Sequence, residues 1–114
     1  MSLALDAGIR GVPQSLDGWM QELQAGFEAR PEGAWQDTGE TWRISTTVGL
    51  VPAKLFVASF TAEDGKPRRV LGLATASQYR HWAFYFTGTP EAIEADLGLY
   101  RIVLSSLSVN ANPL

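Results

Sequence analysis

Hydrophobic residues recur along this chain with two different periods, and each change of period marks an element. Leu3, Leu5, Ala7 and Ile9 alternate loosely ahead of Pro13, which predicts a first strand over Leu3 to Val12. From Leu16 the spacing becomes three and four: Leu16, Trp19, Met20, Leu23 and Phe27 fall on one side of a helix. Ser15 stands before it as N-cap, and Gln21, Glu22, Gln24 and Glu28 form its wet side. Pro31 ends it, because the residue before a proline is pushed out of the α region. This stripe is read as core packing.

Glu32 to Glu40 reads as a polar loop carrying one large apolar residue, Trp35. A period of two follows. Trp42, Ile44, Thr46 and Val48 alternate with Thr41, Arg43, Ser45 and Thr47, the pattern of a half-buried strand. Gly49 to Pro52 reads as a kink or turn. Ala53 to Thr61 is apolar on both faces, so this strand is expected at the centre of a sheet covered on both sides. Asp64-Gly65 predicts a hairpin into a strand of small residues, Arg69 to Ala76, and a turn near Ser77 to Arg80 leads into His81 to Thr87. Trp82, Phe84 and Phe86 share one face of that strand. Thr89, Pro90 and Glu91 then supply an N-cap, a first helical proline and an acid at the helix N-terminus. Ile93, Leu97, Tyr100, Leu104 and Leu107 give the last helix its apolar stripe, with Gly98 breaking or bending it. Residues 110–114 are read as a tail.

The predicted order is therefore β-α-β-β-β-β-α. Hairpin-length loops between the later strands make an antiparallel meander, and both amphipathic helices must bury their stripes on it. The fold class is α+β: an antiparallel meander sheet packed by an N-terminal and a C-terminal amphipathic helix, in one domain spanning residues 3–109.

Composition narrows the functions rather than the fold. The 114 residues are 46 % hydrophobic, enough for a real core. Only 18 % are charged, against ~25 % in an average soluble chain, which points to a surface that is partly covered in use. A net charge of −3 and a single adjacent basic pair, Arg68-Arg69, argue against nucleic acid as a partner. No stretch is long and apolar enough to span a membrane. The opening Met-Ser-Leu has no basic n-region or apolar h-region. It fits a cytoplasmic start, and equally an extracytoplasmic protein whose leader has been replaced by a short stub.

With no cysteine, thiol catalysis and Cys-based zinc sites are ruled out, and with one histidine, His81, so are two-histidine metal sites. There is no phosphate-binding loop, no dinucleotide glycine fingerprint and no Gly-x-Ser-x-Gly elbow. Glu91 and Glu94 are explained by the helix macrodipole, and no cofactor, metal or catalytic residue is assigned. Aromatic and basic residues remain as candidate binding residues: Trp35 in its polar loop, and Tyr79, Arg80 and His81 around a hairpin tip.

Four segments carry a resemblance to a known family. They are Pro-Gln-Ser-Leu-Asp-Gly-Trp (13–19), Gly-Leu-Val-Pro-Ala-Lys-Leu (49–55), Phe-Thr-Gly-Thr-Pro-Glu (86–91) and Ile-Val-Leu-Ser-Ser-Leu (102–107). In this order and spacing the chain resembles the PsbP-like fold family, including bacterial lipoproteins of the LpqN and DcrB kind. Members often carry a further strand pair and a lipidated cysteine ahead of this region, which this sequence lacks. The family has no common catalytic residues, so the resemblance implies a non-enzymatic partner-binding or ligand-binding domain, and the leading reading here is binding of a protein partner or a second copy of the chain. The alternatives are a small apolar-ligand carrier with a groove between sheet and helix, and a hydrolase using His81.

Overall fold

A computed structural model describes residues 2–9, 15–47, 49–77 and 80–109, with residues 2–9, 108 and 109 described by their backbone. The first helix, α1 (Leu16–Glu28), begins where the Ser15 hydroxyl accepts the Gly18 N–H at 3.0 Å. Its stripe is buried at Trp19, Met20, Leu23 and Phe27. It closes at Ala29, two residues before Pro31, in a tightened turn whose Arg30 N–H donates to the Phe27 carbonyl. Strand β1 (Ser2–Ile9) precedes it; Val12 and Pro13 lie outside the described residues.

Four strands then run as an antiparallel meander: β2 (Ala34–Thr46), β3 (Gly49–Thr61), β4 (Pro67–Ala76) and β5 (Arg80–Gly88). Two short helices, α2 (Pro90–Ala95) and α3 (Leu97–Ser105), lead to a two-residue strand β6 (Ser108–Val109). The sheet order is β1-β5-β4-β3-β2-β6, with β1 antiparallel to β5 and β6 parallel to β2. The α+β meander expected from the sequence is the architecture observed.

Alternation along β3 and β4 divides the core in two. Phe56, Ala58, Val70 and Ala74 face α1, while Leu55, Leu71 and Leu73 face Ile93 of α2 and Tyr100 and Leu104 of α3. The central strands are thus covered on both sides, as their two apolar faces require. The aromatic strand divides likewise. Ala83 and Tyr85 pack toward α1, and Phe84 and Phe86 pack toward the C-terminal helices.

Three local expectations are corrected. Glu32 to Glu40 is not all loop, because β2 starts at Ala34 and Trp35 pairs with Ala58. The polar residues belong to a bulge: the register shifts between Asp37 and Thr41, with Gly39 at φ 75°. There Thr38 Oγ1 donates to the Leu55 carbonyl, and the Gly39 and Glu40 N–H groups donate to Asp37 Oδ1 and Thr38 Oγ1. An interrupted ladder breaks the period of two, so the strand was hidden. Second, Gly49 to Pro52 is already strand, opposite Thr46 to Arg43. Pro52 is tolerated because β3 has no β4 partner until Ala53. Third, the C-terminal helix breaks at Asp96 (φ −120°, ψ 27°), not at Gly98. A new helix starts there, with the Tyr100 N–H on the Asp96 carbonyl.

Candidate functional site

The four residues singled out by sequence are not brought together. Tyr79 lies outside the described residues. Arg80 is half-buried at the start of β5, and His81 is 7 % exposed, with its ring centroid 4.1 Å from that of Trp19. His81 is therefore an interior residue on the α1 side, not part of an exposed hairpin tip. Trp35 is half-buried on β2 and stacks on Phe56 at 4.6 Å and 14°. Strands β3 and β4 separate it from Arg80 and His81.

A concave site forms on the side of the sheet that carries α2 and α3, and of the four candidates Trp35 is among its lining residues. Register places Gly88 opposite Arg69, so the chain leaves β5 beside the beginning of β4. Thr89 then turns it, its hydroxyl accepting the Ala92 N–H at 3.1 Å with Pro90 at the first helical position. Helix α2 consequently settles over β4 and β5. The same face of β3 and β2 beside it forms a cleft of ≈ 520 Å³, with Gln36, Val57, Ser59, Arg69 and Leu71 from the sheet and Ile93, Glu94 and Leu97 from the helical side.

The chemistry of this cleft is graded along the strands. Val57 and Leu71 are register partners, and the next pair on the same face is Ser59 and Arg69. Cross-strand partners stand side by side. One end is therefore mainly apolar, closed by the buried Ile93 with Gln36 beside Val57 on β2, and the other offers a hydroxyl and a guanidinium. Arg69 Nη1 donates to Glu94 Oε1 at 2.8 Å, and this pair faces solvent.

A second polar cluster has a different character. Arg101 of α3 grips Glu40 of the β2 bulge with two hydrogen bonds, 2.9 and 2.6 Å, and its guanidinium lies 5.3 Å from the Trp42 ring centroid. These hydrogen bonds, and then the Arg101 charge, hold the Glu40 carboxyl below its ordinary value against the opposing effect of desolvation. The same bond raises the Arg101 pKa. With both partners engaged, the cluster is a clamp between α3 and the bulge. On the α1 side a hollow of ≈ 140 Å³ beside Trp19, Gly26, Arg30 and Tyr85 is smaller than the ~300 Å³ lower bound of small-molecule sites.

Among the described residues no group of three His, Asp or Glu side chains is placed to hold a metal ion. No described helix is long and apolar enough to cross a membrane. The sequence signal for the cleft was thin: Trp35 was singled out as a loop aromatic, Arg69 stood out only as half of a basic pair, and Glu94 as a helix-start acid. No family model matches this chain, and neither does any curated protein or solved structure.

Proposed function

We propose that this domain binds a small, largely apolar molecule in the cleft between the β2–β4 face and α2. The observation that carries the reading is the ≈ 520 Å³ concavity floored by Val57, Leu71 and Ile93. Its volume falls within the ~300–1,000 Å³ of small-molecule sites, and its apolar floor with a few polar groups at one end is the usual composition of such sites. The reading is the groove-between-sheet-and-helix alternative raised by the sequence. His81 lies on the opposite face and has no part in it. The test is titration with a neutral apolar dye such as Nile red. Saturable binding that is lost in Val57→Trp, at unchanged thermal stability, is the expected result. Binding indifferent to that substitution would remove the cleft as the site.

A second reading, a protein partner or a second copy of the chain, is favoured by one feature of α3. Leu99 and Ile102, one helical turn apart, are 57 % and 66 % exposed. Sedimentation equilibrium compares the chain with its Ile102→Glu variant. A self-associating parent and a monomeric variant would support this reading, and two monomers would leave it without a homodimer.

A further inference from the structure

The charges at the polar end of the cleft deepen the small-molecule reading, on which the following inference rests. Among the described lining residues Arg69 is the one cation and Glu94 the one anion. Their pairing is a single N–H···O bond, in contrast to the two-pronged grip of Arg101 on Glu40. Glu94 is 65 % exposed and sits on a helix of only six residues. Exposed pairs of this kind are worth little, because water and salt compete with them. The guanidinium is thus held in place at the end of an apolar trough by a partner that is easily exchanged.

Its strand neighbour completes the recognition chemistry. Ser59 is the register partner of Arg69, so a hydroxyl donor stands beside a planar fork of N–H donors. That combination suits a carboxylate, which accepts two parallel bonds from arginine and a third from a hydroxyl. One step of the pleat further, roughly 6–7 Å along the strands, the surface has become the apolar pair Val57 and Leu71 under Ile93. We infer that the cleft takes a small amphipathic carboxylate, with its carboxylate on Arg69 and Ser59, its hydrocarbon part over Val57, Leu71 and Ile93, and Glu94 displaced toward solvent.

Calorimetric titration with decanoate, decanol and decyltrimethylammonium, each below its micelle concentration, tests this in the wild type, Arg69→Gln and Glu94→Gln. Decanoate should bind at least about tenfold tighter than decanol, the equivalent of one charge-assisted hydrogen bond. Arg69→Gln should erase that preference, and a thermal unfolding midpoint close to the wild type's shows that the variant is folded. Glu94→Gln should tighten decanoate by removing its competitor. Equal affinity for decanoate and decanol, or a preference for decyltrimethylammonium, would overturn the carboxylate inference and leave the apolar cleft standing. Failure of all three compounds to bind the wild type would overturn both.

Discussion

The ring of Phe56 lies against the backbone of Gly72, its register partner on the next strand: a β-carbon at Gly72 would stand 2.2 Å from Phe56 Cζ. On β2, Trp35 stacks on the same ring, and Phe27 of α1 approaches it at 6.0 Å between centroids. Glycine is needed here for space, since it lets one large aromatic fill the width of two strands. Small residues on β4 are the counterpart of large ones on β3 and α1.

Gly72→Ala should therefore destabilise the domain by about 1–3 kcal/mol, the cost of overpacking a close-fitted core. Phe56 is fully buried, so its ring cannot swing out into solvent to relieve the clash. Urea denaturation of Gly72→Ala, Phe56→Leu and the double variant gives the coupling. The double variant is expected to recover part of the loss; strict additivity would show that the two residues do not oppose each other.

Trp19 is tied to β5 by a buried hydrogen bond, Nε1 to the Trp82 carbonyl at 2.8 Å. Trp19→Phe keeps a ring but removes the donor, leaving a buried carbonyl to bear its desolvation. A loss of about 1–3 kcal/mol is expected from denaturant midpoints. A variant as stable as the wild type would mean that water replaces the donor.

Leu104 is fully buried under the sheet on the α3 side. Leu104→Ala should cost ~2–5 kcal/mol through lost burial and a residual cavity. A loss within ~0.5 kcal/mol in thermal or urea unfolding would make α3 a surface attachment.

The Glu40–Arg101 clamp should respond to acid. Because the folded Glu40 carboxyl titrates below its ordinary, unfolded value, the clamp contributes fully above that value. Its contribution is lost as pH falls through the lower, folded value. Wild type should be more stable than Glu40→Gln near pH 7, and the gap should close as acid protonates the folded carboxylate, below the ordinary carboxylate range. A gap that does not change with pH would show that the carboxylate charge contributes nothing.

Local chemistry was legible wherever neighbours in sequence are neighbours in space. The Ser15 cap, the Trp19–Phe27 stripe, the two apolar faces of β3 and the Thr89-Pro90 start of α2 each depend on residues within one or two turns. The Asp64-Gly65 turn is of the same kind, its aspartate accepting the Lys66 N–H two residues on. The first half of β2 was illegible because a bulge broke its alternation, and Trp35 therefore passed for a loop residue.

The sequence by itself determined the class of fold: a meander with an apolar stripe on each helix has few ways to bury both. Only the tertiary structure decided which residues meet. Glu40 and Arg101 are 61 positions apart, and Trp19 and Trp82 are 63 apart. The cleft exists because β5 ends opposite Arg69 and α2 folds back over β4, leaving Val57 and Ser59 beside it. Periodicity reports which face of an element is buried, whereas a site is made by register between strands and by where a helix lands, and neither leaves a local trace.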